Sequence, residues 1–583
     1  MLAQMGRIEA ARRGGDPESQ AGHSAARGTR GLHRRSARSL IGVLVALLLA
    51  APAHAAPGAT TSIVQLRPGT SLARGVEIVH AAGGRPTARL PIIRAVAARL
   101  PARAAAALRR DPRVLAVSRD AAVKPQAVGT APADPTAPAD PTAPAAPADP
   151  TAPADPTAPA DPTAPAAAAD APTGPDTSRL VSAYPASVLA PSAWRTATGR
   201  GVGVAVIDTG IAGELPDFAG DDGASRVVAS VVTDPEATTA TDRYGHGTHV
   251  AGIIAGDGTR RAADDPLAGQ YVGIAPDAHL ISIKAGDDEG RATILDVING
   301  LQFAVDHRAE LGIRVVNLSL ESTTPESYRT DPLDAAVEAA WFHGIVVVAA
   351  AGNHGTAPEA ADYAPGNDPF AITVGAVDDQ GTDTLDDDAY ASWSSAGRTQ
   401  DGYSKPEIGA PGAHMVSTLA PGSAFTDLCP ACIVDGAYIR AGGTSMAAPV
   451  VAGVAALILQ AHPDWTPDEV KSTILATRRQ LPGGVEEVDA AAAVAQQVPA
   501  TGANAGRVPN DVVDAATGDI DYTRSSWSRS SWSTAPDALT AGWARSSWSC
   551  VCTPDAGATV DPTRSSWSRS SWSRSSWSTN WHY

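Results

Sequence analysis

Between residues 177 and 498 the chain alternates short, almost purely apolar runs with longer helix-like segments, and this alternation constrains the fold more than any other feature. Apolar runs without polar interruptions are typical of strands that are covered on both faces of a sheet. Strands that alternate with helices predict an α/β fold, with a doubly wound, mostly parallel sheet and right-handed crossovers. We predict strands at 202–207, 280–284, 313–320, 345–350 and 371–377. We predict helices at 246–255, 293–309, 333–343, 445–461 and 468–477.

The first 55 residues have the order of an export signal. Three arginines precede an apolar run at 40–50, and the small-residue sequence Ala53-His54-Ala55 follows it. This order is typical of a secretory signal peptide. The apolar run has about 11 residues whereas a membrane span needs about 20, so a transmembrane anchor is the less favoured alternative. We therefore predict a signal peptide at 1–55 and a secreted protein, extracellular or associated with the cell surface.

Residues 56–125 form a separate segment with a strong positive charge. Their apolar pattern predicts a small α+β unit of order β-α-β-α-β, and they include 12 basic and 3 acidic residues, a net charge of +9. Residues 177–498 include 18 basic and 42 acidic residues, a net charge of −24. Opposite net charges favour association of the two segments, with a component that salt weakens.

Two low-complexity segments complete the chain. Residues 126–176 repeat Ala-Asp-Pro-Thr-Ala-Pro, and this proline content predicts a semi-rigid, extended linker. Residues 499–583 repeat Arg-Ser-Ser-Trp-Ser, and a five-residue period gives a tryptophan stripe on neither a strand nor a helix. We predict a weakly ordered tail. Because tryptophan and arginine stack on sugars and other polymers, we expect contact with the cell envelope; the alternative is a disordered extension.

Three short motifs carry side chains with the chemistry of acyl transfer. Asp208 ends an apolar run, His246 begins one glycine-rich helix, and Ser445 begins another. Taken singly, each has an ordinary explanation as a cap or a structural residue, and Asp208-Thr-Gly also matches half of an aspartic protease site. That alternative needs a second such motif and an all-β chain. Together the three fit nucleophilic catalysis, in which an imidazole takes the serine proton and a carboxylate orients the imidazole.

A side-chain amide supplies a fourth group. Asn353 follows the apolar run that ends at Ala351-Gly352. Acyl transfer develops an oxyanion, and hydrogen-bond donors aimed at it are usually the largest single catalytic contribution. Asn353 and the backbone N–H of Ser445, at the positive end of a helix, are our candidate donors. A turn or helix cap is the alternative for Asn353.

These motifs, in the order Asp, His, Asn, Ser, resemble those of the subtilisin-like serine peptidases, the subtilase family, of the secreted bacterial type with an inhibitory prodomain. The similarity runs from about residue 184 to 493 and includes Thr198-Gly-Arg-Gly-Val202 and 405–412. It implies four catalytic roles: nucleophile for Ser445, general base and then acid for His246, orienting carboxylate for Asp208 and oxyanion donor for Asn353.

The resemblance also implies how substrate binds. In this family the substrate lies as an extended strand between two edge segments, which correspond here to 288–291 and 318–321. Ser319, Leu320 and Gly352 are therefore the expected substrate-binding residues.

Two further expectations come from the resemblance. Residues 56–125 correspond to the family's ferredoxin-like inhibitory prodomain, and 177–498 to its peptidase domain. Glu321 stands where the family usually has glycine, and we expect it to favour basic or polar substrate residues.

The expected activity is that of a secreted serine endopeptidase made as an autoinhibited zymogen, with protein or peptide substrates and the chain's own prodomain as partners. The competing class is a non-catalytic cell-surface binding protein that retains a peptidase fold. The net charge of −17 argues against a nucleic-acid partner.

The resemblance implies no required cofactor, and calcium could serve as a structural ion near an acidic cluster such as 386–388. We assign no metal site. Of the four cysteines, 429, 432, 550 and 552, we expect disulfides more than zinc ligation, and three pairings remain open.

Overall fold

The computed structural model describes residues 59–125 and 174–518, except Pro68, Asp383 and Val512. We refer to 59–125 as the amino-terminal module and to 174–518 as the main module. The predicted signal peptide, nearly all of the predicted linker and the repeat tail from 519 onward, with Cys550 and Cys552, lie outside the described residues.

The amino-terminal module is a four-stranded antiparallel sheet with two helices, and its strand order is β2-β3-β1-β4. It also includes β5, which leaves this sheet and pairs elsewhere. Its elements are β1 (Thr60–Leu66), α1 (Leu72–Ala81), β2 (Arg85–Leu90), β3 (Ala95–Leu100), α2 (Ala102–Leu108), β4 (Val114–Arg119) and β5 (Ala122–Pro125). The strand β2 was not predicted, because its arginine, proline and threonine side chains give no apolar run.

Both faces of this small sheet are covered. Along β3, Val96 and Ala98 pack with the apolar side chains of α1 and α2, whereas Ala95 and Ala97 join the core of the main module. This follows from the period of two residues by which side chains alternate across a strand. The amino-terminal module therefore shares an apolar core with the main module.

The main module begins with two single-turn helices and then alternates strands with helices. Its elements up to the middle of the sheet are α3 (Tyr184–Ser187), α4 (Ala190–Ala193), β6 (Gly203–Asp208), β7 (Val227–Val232), α5 (His246–Ala255), β8 (His279–Lys284), β9 (Ala292–Thr293), α6 (Ile294–Asp306), β10 (Ile313–Leu318), β11 (Leu320–Ser322), α7 (Pro332–Phe342) and β12 (Val346–Ala350). The remaining elements are β13 (Ile372–Asp378), β14 (Ala389–Tyr390), β15 (Gly397–Arg398), β16 (Ser404–Lys405), β17 (Ile408–Pro411), β18 (Met415–Thr418), α8 (Ala424–Leu428), β19 (Ile433–Val434), β20 (Tyr438–Ala441), α9 (Thr444–Ala461), α10 (Pro467–Thr477), β21 (Arg479–Gln480), β22 (Glu486–Glu487) and α11 (Ala490–Val494).

The central sheet has ten strands, and its main path runs β21-β22-β17-β13-β12-β10-β6-β8-β7. Neighbours along this path are parallel except β21 and β22, and β14 adds an antiparallel edge to β13. The predicted α/β fold with a mostly parallel sheet is confirmed. Every residue of β6 and β12 is buried, which is why the sequence shows them as apolar runs.

One predicted strand is interrupted at a position that matters for the site. The sequence predicts a single strand over 313–320, but β10 ends at Leu318 and β11 begins at Leu320. Ser319 lies at the break between the parallel sheet and a second, smaller sheet of order β11-β5-β9.

The helix α9 is the longest described helix and passes through the centre of the core. By length and composition alone it could cross a membrane, but each residue from Thr444 to Leu459 is buried within the protein. It packs against β10, β12 and β13. Its apolar character is therefore that of a core helix.

The ordered structure continues beyond residue 498, where the tail was expected to begin. Asn510 is fully buried; its backbone N–H donates to both carboxyl oxygens of Glu338, at 2.9 and 2.7 Å. Its side-chain amide donates to the carbonyl oxygens of Tyr328 and Asp331, at 2.6 and 2.9 Å. Asp511 forms an ion pair with Arg329. The segment precedes the first Arg-Ser-Ser-Trp-Ser repeat, at 524–528, and this difference was the signal in the sequence that it is not part of the repeat tail.

We predict that this segment stabilises the main module. A chain ending at 498 leaves Glu338 buried without its backbone donor, at a cost on the order of 2–4 kcal/mol. Its melting temperature should be lower by about 2–6 °C than that of a chain ending at 518. Thermal unfolding would be compared with Ser445→Ala in both chains, to remove the expected peptidase activity. Equal melting temperatures would contradict a structural role for 499–518.

Candidate active site

Asp208 and His246 meet at the carboxyl end of β6. The Nδ1 of His246, the first residue of α5, lies 2.7 Å from Oδ1 of Asp208, and both side chains are buried. The backbone N–H of Thr209 donates to the same oxygen at 2.7 Å. An ionised carboxylate only accepts hydrogen bonds, so Nδ1 carries the proton and Nε2 is the basic nitrogen.

A second carboxylate, which the sequence analysis missed, fixes the start of α5. Asp242 accepts hydrogen bonds from the backbone N–H groups of Gly245 and Thr248, at 2.7 and 2.8 Å, and from the Thr209 hydroxyl at 2.9 Å. Burial raises the pKa of Asp242 despite these donors. An aspartate four residues before a helix-starting histidine was the signal available in the sequence.

The helix α5 can approach Asp208 closely because residue 247 has no side chain. A Cβ on Gly247 would lie 2.2 Å from the carbonyl oxygen of Gly210 and 3.2 Å from Cβ of Asp208. Any larger residue would push the helix away from the strand and lengthen the histidine–carboxylate hydrogen bond.

Ser445 is the second residue of α9, and two hydrogen bonds join it to Ser319. The Ser445 hydroxyl donates to the Ser319 carbonyl at 3.1 Å, and the Ser319 hydroxyl donates to the Ser445 carbonyl at 2.8 Å. Pro449 has no N–H with which to bond the carbonyl four residues earlier, which is that of Ser445. The proline inside α9 therefore allows the helix to be joined to the β10–β11 break.

The side-chain amide of Asn353 is oriented by the residue before Ser445. Its Oδ1 accepts hydrogen bonds from the backbone N–H and the hydroxyl of Thr444, at 3.0 and 3.1 Å. The amide NH₂ group therefore points the other way; it is buried and has no hydrogen-bond partner among the described residues. With the Ser445 backbone N–H at the start of α9, it can stabilise a negatively charged oxygen.

A strand of the amino-terminal module lies in the cleft beside these groups. The strand β5 pairs antiparallel with β11 on one side, where Pro125 is opposite Leu320, Lys124 opposite Glu321 and Val123 opposite Ser322. On its other side β5 pairs antiparallel with β9. A peptide strand can therefore lie between β9 and β11.

The second edge segment of the cleft lies directly after the residues that the sequence predicts for it. The predicted segment is 288–291, but the strand that pairs with β5 is β9, which begins directly after residue 291. Residues 287–291 form a turn in which Arg291 pairs with Asp287 and Glu289, and Asp288 pairs with the buried Lys284. The charged side chains of this turn are thus paired with one another or with β8, and the uncharged residues after the turn form the strand.

Gly352 lies where the cleft meets Asn353. Its φ is +107°, which favours glycine. A Cβ there would lie 2.6 Å from the Ser395 hydroxyl and 2.9 Å from a Glu321 carboxyl oxygen. Ser319, Leu320 and Gly352, the three predicted substrate-binding residues, are thus grouped around one cleft.

A cluster around Phe425 packs against the histidine. The Phe425 ring meets those of His246 and Tyr244 edge-on, with centroids 6.4 and 5.7 Å apart. Cys429 and Cys432, shortly after it, form a disulfide. This bond pairs two of the four cysteines whose pairing the sequence left open. The same two cysteines are therefore not ligands of a four-cysteine zinc site. Nothing in the sequence indicated that Phe425 would pack against His246.

Metal ligands are not grouped in the described parts of the chain. Within 59–125 and 174–518, no three His, Cys, Asp or Glu side chains are arranged to hold a metal ion. Of the acidic cluster 386–388, Asp387 accepts hydrogen bonds from the Thr382 and Thr384 hydroxyls, and burial raises the pKa of Asp388 to about 6.

Comparison with known proteins places this site in a family. The family model described as the subtilase family, Peptidase_S8, matches residues 199–502. Serine protease AprX of Bacillus subtilis (strain 168) is 41% identical over 286 residues, covering 48% of this chain and 62% of AprX. Subtilisin of Bacillus pumilus is 36% identical over 285 residues, covering 49% of this chain and 86% of that protein.

A solved structure is also similar to this chain. The crystal structure of fervidolysin from Fervidobacterium pennivorans, described as a keratinolytic enzyme related to subtilisin, superposes with a TM-score of 0.54 at 25% identity. The match covers 76% of this chain and 63% of fervidolysin. The chain likewise spans 62% of the length of AprX and of subtilisin E of Bacillus subtilis (strain 168).

The chain belongs to the subtilase family. The resemblance inferred from the Asp208, His246, Asn353 and Ser445 motifs is thereby confirmed.

We predict that the Asn353 amide acts on the chemical step. The substitution Asn353→Ala removes the NH₂ donor, so kcat should fall with little change in KM. Removing one such donor from a subtilisin costs about 10²–10³ in kcat, and we expect that magnitude here. Steady-state kinetics on a peptide substrate would check this. A rise in KM at unchanged kcat would instead assign Asn353 to substrate binding.

Proposed function

We propose that this protein is a serine endopeptidase that hydrolyses peptide bonds of proteins or peptides through an acyl-enzyme. The observation that carries the proposal is the buried 2.7 Å hydrogen bond between Asp208 and His246, which leaves the second imidazole nitrogen basic. Thr444 joins the Asn353 amide to the start of α9, where Ser445 lies, and we propose that these two residues act together with the Asp208–His246 pair.

Each residue of the site has its own part in the proposed reaction. The Ser445 Oγ attacks the carbonyl carbon of the substrate while His246 Nε2 takes the hydroxyl proton, and the carbonyl electrons move onto oxygen. The Asn353 NH₂ and the Ser445 N–H donate to that oxyanion. When it collapses, the C–N bond breaks and His246 gives its proton to the departing amine. Water then repeats the sequence on the ester and releases the acid.

The Asp208 carboxylate stabilises the imidazolium that each step forms. Every proton and charge in this scheme has a protein group to accept it, so we propose that no cofactor is required. The alternative, a binding protein that retains the fold, does not explain why the amide of Asn353 is held with its donors directed away from Thr444.

A fluorophosphonate probe tests the proposed chemistry, because it modifies only an activated serine. We expect the mature protein to be labelled at Ser445, located by peptide mass spectrometry, and Ser445→Ala to be unlabelled. His246→Ala should be labelled at least about 10³-fold more slowly, since the base is lost. The exposed His307 provides the matched control, and His307→Ala should be labelled at the wild-type rate. Absence of labelling in the mature wild-type protein would favour the binding protein.

We further propose that residues 56–125 are an inhibitory prodomain and that the chain is made as a zymogen. Three contacts of the amino-terminal module support this. The strand β5 fills the cleft between β9 and β11. The Ile92 N–H donates to the Gln302 side chain on α6. Asp120 accepts a hydrogen bond at 3.1 Å from the Leu295 N–H, in the first turn of α6. The Leu295 N–H is one of the donors that a helix N-terminus leaves without an intrahelical partner, so this hydrogen bond would also assist folding of the main module.

The remaining proposals concern location. We propose export through the signal peptide at 1–55, a linker that tethers the prodomain, and attachment to the cell envelope through the repeat tail. The order of arginines, apolar run and small residues supports the first of these.

Three carboxyl groups gather where the prodomain meets the main module, and burial raises the pKa of each. The pKa is about 7 for Asp120, about 6 for Asp234 and about 8 for Asp296. An exposed aspartate has a pKa of about 3.9. For Asp120, docking therefore favours the protonated form, so the docked state is most stable below about pH 4 and weakens until the pH has passed about 7.

We predict that docking of β5 weakens between about pH 4 and 7 and that Asp120→Asn reduces this dependence, because asparagine accepts the Leu295 hydrogen bond without ionising. Hydrogen exchange of the Val123 and Lys124 amides, corrected for intrinsic rates, measures docking in the full chain with Ser445→Ala. Asp111, which pairs with Arg113 on the same module, is the matched control, and Asp111→Asn should retain the wild-type slope. An unchanged slope in Asp120→Asn would contradict the prediction.

A further inference from the structure

Glu321 is a nearly buried carboxylate inside the proposed substrate cleft. It lies on β11 opposite Lys124 of β5, and its side chain is 4% exposed. The Lys124 Nζ lies 3.4 Å from its Oε1, and the lysine side chain is 16% exposed. Opposed residues of an antiparallel pair place their side chains on the same face of the sheet, so the two charges meet inside the cleft.

The second ion-pair partner of Glu321 belongs to the main module. His354 Nε2 lies 2.9 Å from the same Oε1, and its ring stacks on Tyr363 with centroids 4.6 Å apart. A histidine is charged only when protonated, whereas the lysine is charged at neutral pH. Lys124 therefore supplies the permanent positive charge of this group, and it belongs to the strand that occupies the cleft.

Release of β5, as proposed for maturation, takes that charge away. Of the two ion-pair partners described for Glu321, His354 then remains, and it is charged only when protonated. An incoming peptide strand with a lysine or arginine at the same place would restore the pair, whereas a neutral side chain would not. The strand β5 is thus a peptide of known sequence that already shows which charge this part of the cleft accepts.

The register fixes the position of that charge relative to the cleaved bond. Pro125 is opposite Leu320, and the next residue of the edge segment is Ser319, whose carbonyl accepts the Ser445 hydroxyl. In an antiparallel pair, the substrate residue following the place of Pro125 is opposite Ser319, beside the nucleophile. Counted back from that residue, the place of Lys124 is the third before the cleaved bond.

We propose that Glu321 forms an anionic subsite that selects a lysine or arginine side chain at the third residue before the cleaved peptide bond. This rests on the proposed peptidase function and assigns it a substrate class: extended polypeptides with a basic residue at that position. Glu321 acts on specificity, because it pairs with a substrate side chain two residues away from the reacting carbonyl.

Matched peptides test the subsite in the mature protein. Three fluorogenic peptides would differ only at the third residue before the bond, which would be Lys, Gln or Glu. For the wild-type protein, kcat/KM should be at least about tenfold higher for Lys than for Gln, and lowest for Glu. In Glu321→Gln the Lys-to-Gln ratio should fall to about 1, and Glu321→Lys should prefer the Glu peptide. Glu310→Gln, at an exposed carboxylate outside the cleft, should keep the wild-type ratio.

A second measurement does not require the Glu321 variants to fold. In the full chain, Lys124→Gln should shorten the time to appearance of the mature form, and Lys124→Arg should leave it near the wild-type value, because arginine retains the charge. Equal times for the two variants would count against the pair.

The outcomes separate the subsite from the function it rests on. A wild-type protein that cleaves all three peptides at the same rate overturns the subsite and leaves the peptidase function in place. A preference for lysine only at the residue next to the bond overturns the assigned position. If no peptide is cleaved and the probe does not label Ser445, the proposed function itself fails.

Discussion

The site depends on a single buried hydrogen bond, between the Asp208 carboxylate and the His246 imidazole. A serine hydroxyl is a weak nucleophile, and it becomes reactive only next to a base whose proton is held on the far nitrogen. The fold protects this bond by burial and by backbone geometry. Asp208 ends a strand whose neighbours fix its position, and Gly247 lets α5 approach to the distance that the bond requires.

Two residues of α9, Thr444 and Pro449, position the other half of the site. Thr444 directs the Asn353 amide and precedes Ser445, so one residue positions both the proposed nucleophile and the proposed oxyanion donor. Pro449 makes the Ser445 carbonyl available to Ser319. Because the Ser319 carbonyl also accepts a hydrogen bond from the Ser445 hydroxyl, Ser445 and the edge of the cleft form one hydrogen-bonded unit. A displacement of the cleft edge would therefore move the nucleophile with it.

The sequence predicted the parts of this protein that depend on local pattern. Fully buried parallel strands appear as apolar runs, so β6, β10 and β12 were found within one or two residues. The glycine-rich motifs around His246 and Ser445 were informative because close packing at those points tolerates few residue types. Elements whose stability comes from a distant partner were missed: β9 is held by β5, and the segment around Asn510 by Glu338. The strand β2 was missed because its side chains give no apolar run. Thr444 was missed for the same reason, since its partner Asn353 is brought to it only by the fold, whereas Asp242 caps a nearby helix start and could have been found from its spacing to His246.

Net charge and local charge act in opposite directions at the junction of the two modules. The basic amino-terminal module and the acidic main module attract each other at long range, which favours their encounter. At contact, however, Asp120 meets Asp234 and Asp296, and their mutual repulsion adds to burial in disfavouring ionisation. The ion pair of Lys124 with Glu321 holds β5 at the other end of the same contact. An interface that combines long-range attraction with buried like charges would bind its partner and yet be released by a change in protonation, as the proposed role of this module as an inhibitory prodomain requires.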